Sequence, residues 1–240
     1  MYLLLLALAP AIILMMYVYF RDKYEKEPVR LILKGILFGA IVIFPVGLIE
    51  NYIIGFGTGL AKIPKAAFDG FIVAGAIEET FKYLAVFILI WRNRNFNEKF
   101  DGIVYSVSVA LGFAAIENLF YVFSNNSMQV GLLRAFTAVP GHAIFGIVMG
   151  FYLGLARFSL RSRGKWLLMA LIVPWMFHGI YDFLIMSGHP LLILTFIPFL
   201  FFMYRTGLRR MKRLNEQSVF NPVNINFTSN QENPYNQKES

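Results

Sequence analysis

The sequence predicts an all-α fold: a polytopic membrane helix bundle of about seven transmembrane helices, with the N-terminus outside and the C-terminus cytoplasmic. Three observations predict it. First, 58% of the 240 residues are hydrophobic and only 15% are charged, whereas a soluble domain is about half apolar and a quarter charged. A water-soluble core of this composition would leave too little polar surface outside it, and the mean hydropathy of +0.59 says the same. Second, seven segments are apolar over most of the length needed to cross the hydrocarbon layer. Third, basic residues gather in alternate connections between those segments.

The segments run over 2–20, 31–54, 67–91, 102–123, 132–156, 166–187 and 189–204. The first contains Ala7-Leu8-Ala9 but has no Lys or Arg ahead of its apolar run, and Arg21 and Lys23 follow it. A signal peptide has the reverse order, so the segment reads as a retained span. The connection 21–30 carries Arg21, Lys23, Lys26 and Arg30; the connection 92–101 carries Arg92, Arg94 and Lys99. The connection 157–165 carries Arg157, Arg161, Arg163 and Lys165, and Arg205, Arg209, Arg210, Lys212 and Arg213 follow the last span. The three opposite connections hold only Lys62 and Lys65, which orients the bundle with its basic face in the cytoplasm. The last span is short and contains Pro198, but without it the cluster at 205–213 would lie outside.

Residues 1–213 therefore form the transmembrane domain. Residues 214–240, rich in Asn, Gln, Ser and Pro, read as a disordered cytoplasmic tail. The net charge of +8 would raise nucleic acid as a partner of a soluble protein; here its placement points to the lipid bilayer, and no nucleic acid is expected. The absence of Cys excludes disulfides, thiolate metal sites and a cysteine nucleophile.

Ionisable residues inside spans are costly and suggest function. Glu50, Asp69 and Arg134 lie near span ends, where side chains reach the interface. Glu78, Glu79, Lys82, Glu117, His142, His178 and Asp182 lie deeper. Counted from the outer ends at about 1.5 Å per residue, Glu78 and Glu79 are roughly 16–18 Å in, His142 about 15 Å, His178 about 13 Å, and Glu117 and Asp182 roughly 8–9 Å. Four spans thus send polar groups to one layer, which suits a shared hydrated site. Glu78 and Lys82 stand four apart on one helical face in the favourable order. Glu79, about 100° round the helix, has no partner on its own helix by this reading. The plain structural reading is that Lys82 neutralises a carboxylate for insertion; the functional one is that a buried carboxylate with a displaced pKa accepts a proton from water. His178 and Asp182 also share a face, where a carboxylate fixes the imidazole tautomer or merely satisfies a helix contact. Phe113-Ala114-Ala115-Ile116-Glu117-Asn118 sets small residues beside a carboxylate and an amide. Pro140 and Pro174 precede the two histidines, as simple kinks or as breaks that expose a carbonyl for a peptide.

Together these residues resemble the PrsW family of membrane proteases. The likeness rests on Glu78-Glu79-x-x-Lys82, Phe113-x-x-x-Glu117-Asn118, Arg134 with His142, and His178-x-x-x-Asp182. Glu27-Pro28-Val29, Asp101-Gly102-Ile103-Val104-Tyr105 and Met149-Gly150-Phe151-Tyr152-Leu153-Gly154 flank them. It covers about residues 8–213. The resemblance implies a peptidase in the cell membrane of a Gram-positive bacterium, making the first (site-1) cut, on the outer side, in a single-span anti-sigma factor, so that a sigma factor is activated under stress. The wider superfamily includes the CAAX-processing proteases, which share a paired-Glu motif and later histidines. By that likeness Glu78 or Glu79 activates water and His142 and His178 assist. Asp182 would orient His178, Glu117 and Asn118 would bind substrate or relay protons, and Lys82 and Arg134 would tune charge. No cofactor is certain. Two His and one Glu also suffice for a catalytic zinc, although the usual His-Glu-x-x-His helix is missing. A proton-coupled transporter or channel would use the same acids and histidines, and a scaffold would use them only for helix packing.

Overall fold

The computed structural model describes residues 2–225, and among them the chain is helical with no strand. In order come α1 (Tyr2–Arg21), α2 (Val29–Ile53), a 3-10 turn (Ile54–Gly57), α3 (Lys62–Ala67), a π-helical stretch (Phe68–Ala76), α4 (Ile77–Ile90), α5 (Asp101–Asn125), α6 (Met128–Phe136), α7 (Ala138–Arg157), α8 (Arg163–Met186) and α9 (Pro190–Glu216). The protein is an all-α polytopic bundle. Among the described residues six segments are long and apolar enough to cross a membrane: α1, Val29–Gly57, α5, Met128–Arg157, α8 and α9. The remaining expected span, 67–91, corresponds to the unbroken helical run Lys62–Ile90, which stops one residue short of its end. It comes in three pieces and carries Lys62, Lys65, Asp69, Glu78, Glu79 and Lys82. Those charges set it apart from the other six.

α5 and α7 form the centre. From Asp101 to Ala114 every residue of α5 is buried, and α7 is buried over nearly its whole length. Glycine explains how they come so close. Gly146, Gly150 and Gly154 recur every four residues and so line one face of α7. A Cβ on Gly150 would stand 2.2 Å from the Gly102 carbonyl oxygen, and one on Gly154 2.2 Å from that of Lys99. No side chain fits there, so the backbones meet and gain dispersion contacts, as is usual where lipid supplies little hydrophobic drive. α2 approaches α5 from another side in the same way: a Cβ on Gly39 would meet the Val109 carbonyl oxygen at 2.0 Å.

The outer faces carry apolar stripes at helical spacing. Leu33, Leu37, Ile41, Phe44, Leu48 and Tyr52 are exposed along α2, and Leu191, Leu194, Ile197 and Phe201 along α9. A bilayer is the solvent that suits such faces.

One expectation is met and one meets a different outcome. Pro140 sits in the first turn of α7, just past the break at Thr137 that divides this span into α6 and α7, and the Phe136 carbonyl four residues before it accepts from the Tyr204 hydroxyl at 3.0 Å; Pro174 lies inside α8. Disorder was expected from residue 214, yet α9 runs on to Glu216, and Ser218 is 3% exposed with its hydroxyl donating to Glu98. Residues 226–240 lie outside the described residues.

Candidate functional site

The π-helical stretch leads straight into the Glu78–Lys82 turn of α4. Trp175 Nε1 of α8 donates to the Phe71 carbonyl at 2.5 Å, fastening the widened helix to the span that bears His178. π-Helical turns occur often at functional sites because they rotate the residues that follow. Here α4 presents both carboxylates and Lys82 inward: Glu79 is 0% exposed, Lys82 1% and Glu78 6%.

Lys82 organises the cluster. Its Nζ lies 2.8 Å from Glu78 Oε2, 2.9 Å from Glu79 Oε1 and 3.1 Å from His142 Nδ1, above the face of Phe113 at 4.2 Å from its centroid. An ammonium has three N–H groups, and three acceptors surround it. That leaves His142 Nδ1 as the acceptor and gives Nε2 the proton, which it donates to Glu117 Oε2 at 2.9 Å. Arg134 reaches the same Glu117 oxygen at 2.8 Å, and its Nε donates to Asn118 Oδ1 at 2.9 Å. On the other side His178 Nδ1 lies 2.9 Å from Glu79 Oε1, and Nε2 lies 3.2 Å from Asp182 Oδ2. A carboxylate faces each nitrogen, so the ring can donate at both only in its protonated form. The two imidazoles stand edge to face, 5.2 Å between centroids, and Phe145 stacks on His178 at 4.8 Å.

The expected site residues therefore come together from α4, α5, α7 and α8, with Arg134 added from α6. Glu78, Glu117, His142, His178 and Asp182 line one cavity of about 720 Å³, together with Arg134, Phe113, Phe145 and Tyr181. Glu79 is not on its wall. It stands behind, tying Lys82 to His178, and so has the same-helix partner that the sequence reading denied it: Lys82 bonds it across three residues. Asn118 is fully buried; its Nδ2 donates to the Ala7 carbonyl at 3.0 Å while Oδ1 accepts from Arg134. Both ends of the amide are used in holding α1 and Arg134 to α5, so Asn118 faces no substrate. Glu50, placed by sequence among the span-end residues, lines the cavity, and its Oε1 is buried without a partner. The signal was present: no basic residue stands three or four positions from Glu50, so a near-interface acid had no means of being neutralised on its own helix.

Glu78, Glu79, His142 and His178 each offer a ligand atom, all within 4.8 Å of one another. Two imidazoles and two carboxylates suit a divalent metal in donor type. Glu117 and Asp182 already hold the outer nitrogen of each ring, as carboxylates behind ligating histidines do, and Glu79 Oε2 is buried with no partner. The donors fit a metal on condition that Lys82 gives up its contacts with three of them.

Known proteins place this geometry. The family model described as PrsW family intramembrane metalloprotease matches residues 27–205. The protein named Protease PrsW from Bacillus subtilis (strain 168) is 37% identical over 207 residues, covering 86% of this chain and 92% of that one. Those of the same name from Geobacillus kaustophilus and Clostridioides difficile are 37% and 34% identical, covering 75% and 89% of this chain and 77% and 92% of their own lengths. No solved structure gives a significant match. With its polar residues gathered round one cavity in a helix bundle and its relatives matched over most of their length, the chain belongs to the PrsW family and is a multi-pass membrane peptidase.

Proposed function

We propose that this peptidase makes the first cut, on the outer side of the membrane, in a single-span anti-sigma factor, and that Glu78 is the general base. The observation that carries the mechanism is the division of labour within the carboxylate pair. Glu78 faces the cavity beside both imidazoles, whereas Glu79 is sealed behind it.

Water in the cavity gives a proton to Glu78 as its oxygen attacks the scissile carbonyl carbon. The oxyanion that forms takes hydrogen bonds from His142, whose Nε2–H turns from Glu117 to substrate. His178, held by Glu79 and Asp182, protonates the leaving amine as the C–N bond breaks. The products are a free amine and a carboxylic acid that loses its proton to solvent, and the proton on Glu78 passes to His178, which restores both groups. Lys82 holds Glu78 in position through its ammonium; Arg134 does the same for Glu117. Donors fixed in a dry site before the charge develops account for most of such catalysis.

A second reading of the same donors, favoured by their mutual reach, is zinc held by His142, His178 and Glu79 with Glu78 left as base; when bound it would supply the Lewis acid for water and carbonyl in place of the two imidazole donors. Metal analysis of the purified protein tests this. Zinc that disappears in His142→Ala and His178→Ala and is kept or raised in Lys82→Met supports the assignment; full activity of metal-free protein ends it.

For orientation we propose an outside N-terminus and a cytoplasmic C-terminus, with Lys62–Ile90 crossing as the seventh span, because this places all four basic connections on the cytoplasmic face. Residues 1–213 are proposed as the protease domain and 214–240 as an appendage to it. The test of function is cleavage of candidate single-span anti-sigma factors by the reconstituted protein, with Glu78→Gln as control. A cut in the outer juxtamembrane segment supports the reading. Cleavage of soluble or cytoplasmic segments only would remove the site-1 assignment and leave the peptidase.

A further inference from the structure

A second group of buried carboxylates stands at the end of the bundle that bears the basic connections. Asp22, Glu25 and Glu27 come from the α1–α2 connection, Glu98 from the α4–α5 connection, and Asp101 opens α5. Asp22 and Asp101 are 0% exposed, Glu27 1% and Glu98 3%. Asp101 and Glu117 are sixteen positions apart on α5, about 24 Å along the helix, so this group is separate from the peptidase site.

Oxygens of Glu25, Glu27 and Asp101 lie within 4.8 Å of one another. Their partners are few. Asp101 Oδ2 accepts from the N–H groups of Asn97 and Glu98 at 2.8 and 2.7 Å, Glu25 accepts from Asn97 Nδ2 at 3.3 Å, and the Tyr105 hydroxyl donates to Glu27. Both oxygens of Asp22 and Oε2 of Glu25 are buried without a partner, and Oε1 of Glu27 and Oδ1 of Asp101 have none outside the hydrogen bond that these two carboxyl groups share with each other. Among the described residues no Lys, Arg or His forms an ion pair with any of the five. Lys26 turns its ammonium to the backbone carbonyls of Tyr19 and Asp22 and lies over the Tyr19 ring. An unpaired buried carboxylate is expensive, and several together repel one another. Burial and the neighbouring carboxylates push Asp22 up to about 7 and Glu27 up to about 10, as befits acids lacking a counter-ion.

We propose that Glu25, Glu27 and Asp101, beside the unpaired Asp22, bind a hard divalent cation of the calcium or magnesium class, which clamps the α1–α2 connection to the start of α5. The donors are all oxygens, with no His and no Cys among them, which suits hard cations and not zinc. Ca²⁺–oxygen distances of about 2.3–2.6 Å put ligands on opposite sides of the ion about 4.6–5.2 Å apart, which the observed 4.8 Å spread accommodates. Tyr105, with its hydroxyl on Glu27, is placed to sensitise a bound lanthanide.

The test uses the full chain in lipid nanodiscs after chelation. Terbium should then give Tyr-sensitised luminescence that Ca²⁺ or Mg²⁺ displaces, and either ion should raise the thermal midpoint. An Asp22→Asn/Glu27→Gln double variant should lose both responses while melting no lower than chelated wild type, since amides of the same shape remove the repulsion. Glu25→Gln, at a half-buried position, should weaken ion affinity about tenfold or more, which keeps the proposal testable if the double variant does not fold. Glu79→Gln, altered only in the membrane cluster, should keep the full response. No response in wild type, a response that survives in the double variant, an unchanged affinity in Glu25→Gln, or a response lost in Glu79→Gln would each overturn the proposal.

Discussion

The two ends of α5 bury acidic residues in opposite ways. In the membrane cluster every carboxylate group but Glu50 has a cation or an imidazole beside it: Lys82 serves Glu78 and Glu79, Arg134 and His142 serve Glu117, and His178 serves Glu79 and Asp182. In the cluster around Asp101 none of the carboxylates is paired with a basic side chain among the described residues. Similar residues at similar burial thus have different consequences. Interleaved counter-charges hold the membrane cluster in one geometry, which is what a catalyst needs before substrate arrives. The other cluster is incomplete as protein and is completed by whatever positive charge it takes up.

The largest effect should come from the member of the adjacent carboxylate pair that faces the cavity. Glu78→Gln keeps shape and neighbours and removes only the proton acceptor, so turnover should fall by about 10²–10⁴ while the thermal midpoint stays near that of wild type. The readout is the rate of substrate cleavage in proteoliposomes at matched protein levels. Activity within a few-fold of wild type would move the base away from Glu78.

Lys82→Met should act on the fold instead. It strips the counter-charge from two carboxylates that are 6% and 0% exposed, and breaking a buried pair from one side costs about 3–5 kcal/mol. A lower thermal midpoint, partly restored when Glu79→Gln is added, would show that the membrane cluster is organised by charge balance. An unchanged midpoint in Lys82→Met would break the contrast drawn between the two clusters.

Asp182→Asn should be milder. Asp182 touches only His178 in this network and holds its Nε2; loss of such an orienting carboxylate costs about 10–100-fold, and the loss should fall on kcat more than on KM. That pair was legible in the sequence because four-residue spacing puts two side chains on one face wherever the helix goes. The same rule found Glu78 with Lys82, and hydropathy found the spans. What spacing cannot give is the rotation of one helix against another. The π-helical stretch before Glu78 turns both carboxylates inward, and no periodic pattern in Phe68–Ala76 announces it. Hence the second contact of Lys82 with Glu79, the sealing of Asn118 between Ala7 and Arg134, and the presence of Glu50 on the cavity wall became visible only in three dimensions. The Asp101 cluster was hidden for the same reason: its members lie in two connections and a helix start more than seventy residues apart, and acids in loops read as solvated.

The smallest effect should be seen at Ser218, which follows α9 and gives its hydroxyl to Glu98. Glu98 is 3% exposed, and burial raises its carboxyl above the ordinary value while the Ser218 bond opposes that rise. Ser218→Ala should therefore cost about 1 kcal/mol, a fall of about 2–4 °C in thermal midpoint for a chain of this size, with no change in cleavage rate. Glu98 is adjacent to the proposed ion site but is not one of its three ligands, so the fall should appear both in chelator and in saturating Ca²⁺, and the ion should still raise the midpoint of the variant. A variant that no longer responds to the ion would make the segment after α9 part of the site, and the contrast between the two clusters would then extend to the C-terminal segment as well.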